Sequence, residues 1–296
     1  MPEFEIRTDV LSGGRVALPQ QPGKSLHVRP RDIPRLDGPC PFCAIEHSLG
    51  TLDDPITNQG VTSLPVYVSD GAFALTNAWP AYGPRSHSIL IMSRRHVESV
   101  DELSDEESRA FFSAILAVRR PILATTSSLT RTLTLINVGR GAGASQPHLH
   151  AQVMSVDTDA PAMFSTVTSQ EAISEDVAVA RRHGLMLHDD ATATVYVAWS
   201  PTSTGEVRCV AQGDQSLADG VRIALAYLTD AFGPMDYHIV IAGEETVVAQ
   251  VMPSFVQRHL FSDYFGLACA TISPTTLLKN LRGANVHDGP TRQVAL

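Results

Sequence analysis

Between Asn137 and Gln152 the chain reads Asn-Val-Gly-Arg-Gly-Ala-Gly-Ala-Ser-Gln-Pro-His-Leu-His-Ala-Gln, and no other stretch narrows the possible folds as much. A β-branched run, Thr132–Val138, leads into it as a strand. Three glycines then turn the chain, and Pro147–Val153 leaves as a second strand. Side chains two apart on a strand share a face, at a separation of roughly 7 Å. His148, His150 and Gln152 are therefore expected on one face, directly after the glycines. A glycine-rich loop lets backbone N–H groups approach phosphate oxygens, because no Cβ bars the way. The segment thus predicts an imidazole nucleophile and a neutral amide donor beside a phosphate cradle. A lone histidine is usually structural, but two histidines and a glutamine at this spacing after such a loop fit chemistry better than packing.

The rest of the chain sets the limits within which that segment works. With 296 residues, 44% apolar and 18% charged, it can build one large domain or two modest ones and is not a disordered chain. A net charge of -9 removes the broad basic footprint of a duplex nucleic-acid binder, but leaves room for a local phosphate pocket. Met1-Pro-Glu-Phe-Glu5 lacks the cationic-then-apolar layout of a signal peptide, and no run approaches the roughly 18 apolar residues of a membrane span. A cytoplasmic protein with no membrane or nucleic-acid partner is expected. Cys209 and Cys269 stand alone and read as buried thiols. Cys40-Pro-Phe-Cys43 is a knuckle suited to half a zinc site or to a redox pair. The proline-rich run Arg29–Arg35 before it is not the strand that would introduce a thioredoxin-like pair, so zinc is favoured.

Strands are expected at Val66–Val68, Ala72–Leu75 and Ser88–Met92. Ser104-Asp-Glu-Glu107 is a capping box that opens an amphipathic helix, and Pro121 is expected to break it. The second half repeats the rhythm: strands over Thr192–Trp199 and Val207–Ala211, a helix over Ser216–Phe232, then extended runs at Tyr237–Ala242 and Val247–Met252. Phe255–Ala270 reads as helical, and Ser273 caps a last helix through Leu281. Residues 155–190 read as the joint. Strands adjacent in sequence, with few crossover helices, predict an α+β fold with a largely antiparallel sheet.

These residues carry a family resemblance. Gly143-Ala-Ser-Gln-Pro-His-Leu-His-Ala-Gln152 resembles the active-site signature of galactose-1-phosphate uridylyltransferases, within the histidine triad superfamily, and Asn137 keeps the family spacing. Cys40-x-x-Cys43 is similar to that family's zinc knuckle, and Ser93-Arg-Arg-His96 to the segment holding its third ligand. Ala74–Pro80 is similar to its nucleoside-contacting strand end, and the stretch from Arg7 to Pro30 to its opening strand and arginine segment. The resemblance implies two related histidine-triad-like halves, each a largely antiparallel sheet flanked by helices. Residues 1–155 would be catalytic; residues 156–296 would be a degenerate copy serving the sugar side and dimer contacts. It implies His150 as the nucleophile, Gln152 as donor to the phosphoryl group and Ser145 on the departing phosphate. Structural Zn2+ would sit on Cys40, Cys43, His96 and His148. Arg29, Asn77, Asn137, Gly143 and Asp263 are the substrate-binding candidates, with Arg140 a second choice of cation. The implied enzyme is a homodimeric nucleotidyltransferase that passes a nucleoside monophosphate from a nucleoside diphosphate sugar to a sugar 1-phosphate or similar acceptor.

The chain also departs from the family. Leu26 replaces the first of two opening arginines, and Ala78 stands where an acidic residue usually contacts the ribose. The second-half metal cluster has no counterpart, since the equivalent strand reads Val248-Ala-Gln-Val-Met-Pro253. Around Asp263-Tyr-Phe-Gly266 only Asp263 offers to replace the glutamate and glutamine that hold the hexose hydroxyls. Two other functions stay open: a phosphorylase or hydrolase using the same histidine, and a zinc-stabilised protein that binds nucleotides without turning them over. A pure binder needs no nucleophile, which disfavours the last.

Overall fold

The computed structural model describes residues 4–19, 30–36, 38–46, 56–58, 61–63, 65–77, 87–125, 130–157, 169–254 and 268–284. In chain order the first half contributes β1 (Phe4–Thr8), β2 (Arg15–Pro19), α1 (Pro41–Glu46), β3 (Ile56–Asn58), β4 (Val61–Ser63), β5 (Pro65–Val68), β6 (Ala72–Thr76) and β7 (His87–Ser93). Helix α2 (Asp105–Thr125), β8 (Thr130–Val138) and β9 (His150–Asp157) complete it. The second half runs α3 (Gln170–Arg182), β10 (Met186–Asp189), β11 (Thr194–Val197), β12 (Val207–Ala211), α4 (Asp214–Phe232), β13 (Tyr237–Gly243), β14 (Val247–Pro253), β15 (Ala268–Cys269) and α5 (Pro274–Ala284). None of the described helices is long and apolar enough to cross a membrane.

The fold is α+β. Ten strands form one sheet in the order β10-β11-β12-β14-β13-β8-β9-β7-β6-β5, every neighbouring pair antiparallel. That order is a repeat. The first half reads β5-β6-β7-β9-β8 from its edge inwards and the second reads β10-β11-β12-β14-β13, with α2 and α4 inserted at the same step. The two halves meet where β8 pairs with β13, Ile136 opposite Ile239. Two related halves are thus present, and their sheets fuse into one.

Alternation along each strand separates two faces. Ile91, Ile136, Ala151, Val153, Ile239 and Val251 are buried in one large cluster with Phe111, Phe112 and Ile115 of α2 and Leu225 and Leu228 of α4. The opposite face carries Phe73, Leu75 and Met92, packed against Phe42 of α1. His150 pairs with Met92, and Gln152 with Leu90 and Leu135, so both lie on this second face, away from α2 and α4.

Three expectations change. Pro121 lies inside α2 and does not end it. An interior proline costs about 3 kcal/mol, and the buried Phe111, Phe112, Ile115 and Val118 upstream anchor the helix against that cost. Residues 155–190 hold α3, capped by Ser169 accepting from the Ala172 amide, so this stretch is more than a joint. Ala268–Cys269 is strand β15, parallel to β2, where a helix was expected; residues 255–267 lie outside the described residues.

Candidate active site

Cys40 and Cys43 flank the start of α1, with Pro41 at its first position, where the missing N–H has no helical partner to lose. His96 follows β7 on a loop held by Arg95, whose guanidinium donates to Glu107 Oε1 (2.7 Å) and to the Glu102 carbonyl (2.6 Å). His148 is fully buried just before β9. Its Nδ1 lies 3.6 Å from each cysteine sulfur, and His96 Nδ1 lies 3.2 Å from Cys43 Sγ. The four donor atoms fall within 4.8 Å of one another and could hold a metal ion. A tetrahedral zinc site with bonds of about 2.0–2.3 Å has edges of roughly 3.3–3.8 Å, so the donor set fits one. His148 Nε2 donates to the Ser93 carbonyl at 2.8 Å, which leaves the Nδ1 lone pair turned to the sulfurs.

His150 is built the other way round. Its Nδ1–H donates to the His148 carbonyl (2.9 Å), because a carbonyl can only accept. The lone pair is left on Nε2, 3.5 Å from the side-chain amide nitrogen of Gln152. His150 is 4% exposed, and burial pulls its pKa below the ordinary imidazole value, against a smaller opposing effect of that hydrogen bond. Burial thus favours the unprotonated ring, whose lone pair lies on Nε2. Phe42 sits edge-on to both histidines, with centroids 5.8 Å from His148 and 5.3 Å from His150. The structure thus brings Cys40, Cys43, His96 and His148 together and sets His150 beside Gln152. The strand, however, begins only at His150, so His148 belongs to the loop and not to the strand.

The glycine loop differs more from expectation. The N–H of Arg140 donates to the Asp32 carbonyl and that of Gly141 to Asp236 Oδ2; those of Ala142 and Ala144 go to Gly139 O, and that of Gly143 to Arg140 O. Amides 140–144 are thus engaged within the chain, and the expected backbone cradle is absent over these five residues. The glycines serve shape. Gly139 has φ +84°, and a Cβ built there would lie 1.7 Å from Asp236 Oδ1. Gly143 has φ +81°, and a Cβ there would lie 4.0 Å from Asn137 Nδ2. Ser145 lies exposed just beyond the turn.

Asn137 lies on β8 on the site face, and its Oδ1 is 2.9 Å from His238 Nδ1 of β13. Asn77 directly follows β6 and continues the alternation that puts Leu75 on that face. The Arg140 side chain is 60% exposed, 3.9 Å from Asp32, which gives it no anchored role. Arg29 and Asp263 lie outside the described residues. Phe42, Asp236 and His238 were not singled out from sequence. Asp236 and His238 act on the site from 100 residues away, and only their place at the head of β13 hints at it.

No protein-family model matches the chain, and no curated protein matches it in sequence. Solved structures do match in shape. An ADP-glucose phosphorylase from Arabidopsis thaliana with bound ADP-glucose matches at 14% identity and TM-score 0.67, over 95% of this chain and 99% of that one. A GalT-like protein from Arabidopsis thaliana matches at 14% and 0.66, over 95% and 98% of the two chains. A uridylyltransferase matches at 16% and 0.58, again over 95% and 98%. The chain therefore shares the fold of these phosphorylase, GalT-like and uridylyltransferase structures over nearly its whole length.

Proposed function

We propose that the chain is a nucleotidyltransferase that works through a covalent nucleotidyl-histidine. The observation that carries this reading is the geometry of His150, with Nδ1–H fixed on the His148 carbonyl and its Nε2 lone pair beside the Gln152 amide. Nε2 attacks the α-phosphorus of a nucleoside diphosphate sugar. An N–P bond forms, the P–O bond to the β-phosphate breaks, and sugar 1-phosphate leaves with that electron pair. A phosphorylated acceptor oxygen then attacks the same phosphorus and returns the lone pair to Nε2. Gln152, Asn137 and Ser145 donate to phosphoryl oxygens, Gly143 keeps the approach open, and Asn77, Arg29 and Asp263 are assigned to the substrate. Cys40, Cys43, His96 and His148 would hold structural Zn2+, which has no vacancy for a reacting water. Residues 1–155 form the catalytic half, residues 156–296 a degenerate half, and the enzyme is a cytoplasmic homodimer.

A second reading has its own support: orthophosphate as acceptor, which makes the reaction a phosphorolysis. Its support is the likeness to an ADP-glucose phosphorylase. Intact mass spectrometry after incubation with ADP-glucose and UDP-glucose tests both. Wild type should gain one nucleoside monophosphate. His150→Ala should gain none while keeping its metal, and His148→Ala should lose metal or stability. Supplying the isolated adduct with glucose 1-phosphate or with orthophosphate then identifies the acceptor. A normal adduct on His150→Ala overturns the mechanism.

A further inference from the structure

The second half has no histidine at the position that His150 holds in the first. Across the seam one row of paired residues reads Gln152, Leu135, Val240, Gln250, with a glutamine at each end. Two residues before Gln250, where the first half has His150, stands Val248, buried in an apolar cluster with Leu11, Ile173 and Ala242. Yet this half still reaches the working site. His238 of β13 pairs with Asn137 of β8, and one step further along the β8–β9 register Asn137 comes opposite His150.

The hydrogen bond between them has a direction. Asn137 Oδ1 is an acceptor only, so the proton lies on His238 Nδ1 and is donated across 2.9 Å. That contact fixes the amide. With Oδ1 held by His238, the Nδ2 hydrogens become the end that faces Gly143, 4.0 Å from where a Cβ on that residue would lie. Had position 238 offered an acceptor, Asn137 would turn over and present its carbonyl oxygen instead. Phosphoryl oxygens accept and never donate, so only the first orientation suits a nucleotide.

We propose that His238 is a positioning residue: it holds Asn137 with its donor end towards the phosphoryl group bound beside His150. The inference rests on the reading of this site as a nucleotidyl-transfer site. The nearest substitute for the imidazole Nδ1–H is an asparagine amide. His238→Asn should therefore keep adduct formation and nucleotide affinity within about threefold of wild type. His238→Ala removes the director and should lower both roughly tenfold, the scale of one hydrogen bond to a charged group. His238→Asp supplies an acceptor, turns Asn137 over and should cost more than alanine despite being larger. In an Asn137→Ala background the three variants should be equivalent.

Two readouts separate the proposal from the reading beneath it: the rate of nucleotidyl-histidine formation, and calorimetric binding of ADP and UDP against adenosine and uridine. Wild type that forms no adduct overturns the transferase reading, while the binding series still tests His238. An Ala or Asp variant with wild-type affinity for the nucleoside diphosphates overturns His238 as a positioning residue. So does an equal loss with and without Asn137, or losses that follow side-chain size, which a purely structural role would give.

Discussion

Phe42 is the residue through which the Cys40–Cys43 knuckle reaches His150. It lies between Cys40 and Cys43, is 9% exposed, and makes T-shaped contacts with both His148 and His150. Edge-on aromatic contacts contribute about 0.5–1.5 kcal/mol beyond the area they bury. Here that contact presses on an imidazole that has one backbone hydrogen bond to orient it. Phe42→Leu should therefore keep the fold and the metal but slow nucleotidyl-histidine formation severalfold. Phe42→Ala should in addition cost about 3 kcal/mol of stability. Single-turnover mass spectrometry, run alongside metal analysis, reads the two effects separately. A wild-type rate in both variants would show that the knuckle does not hold His150. The grouping of these residues was legible in the sequence, because CxxC and the His-x-His-x-Gln run stand out by their spacing and Ser93–His96 by its family resemblance. Phe42, Asp236 and His238 were not, because their roles depend on contacts that only the folded chain makes.

Among the elements, α2 ties helix formation to the Cys/His cluster. The Ser104 hydroxyl accepts from the Glu107 amide (3.2 Å), and the Glu107 carboxylate accepts from the Ser104 amide (2.8 Å), which is the reciprocal capping box expected of the sequence. Glu107 also holds Arg95, next to His96, so the cap and the third metal-site residue share one anchor. The Arg95 hydrogen bond, helped by the Ser104 amide, pulls the Glu107 carboxyl down to about 2. A depressed folded-state pKa stabilises fully above the ordinary value of 4.5, and that contribution is lost as pH falls towards about 2. Ser104→Ala should cost about 1 kcal/mol in urea denaturation at neutral pH. The stability gap between wild type and Glu107→Gln should be open at pH 7 and close between pH 4.5 and about 2; a gap independent of pH would count against this role. The strands and most helices were legible from alternation and caps. Helix α3 was missed because residues 155–190 were read by composition, although Ser169 and the spacing of Ile173, Val177 and Ala180 carried a helical signal. The break assigned to Pro121 failed because local propensity yielded to burial of the aromatic face upstream.

At the scale of the whole molecule, the face that carries His150 and Gln152 in one half carries an ionic knot in the other. The row from Gln152 through Leu135, Val240 and Gln250 continues to Arg208 and Tyr196. Arg208 is fully buried and donates to Asp9 before β2, Asp176 of α3 and Glu206 before β12, at 2.8, 2.9 and 2.6 Å. Burial alone would push the guanidinium pKa down, but Asp176, Glu206 and Asp9 together raise it well above its usual value. The knot joins the N-terminal hairpin, α3 and the central sheet, but holds three carboxylates for one cation. Removing the cation strands those charges, so Arg208→Ala should cost about 3–5 kcal/mol. Removing a charge is different. Asp176 Oδ2 accepts from Tyr196 (2.6 Å) and from Arg208, while its Oδ1 is buried without a hydrogen-bond partner. Asp176→Asn can keep both accepted bonds on its oxygen and relieve like-charge repulsion, but its amide nitrogen then sits without an acceptor where Oδ1 now lies. The two effects oppose each other, so the variant should cost far less than Arg208→Ala. Urea unfolding of the two variants decides the matter. If Asp176→Asn loses as much as Arg208→Ala, the knot needs all three charges, and the repulsion argued here is not what limits its stability.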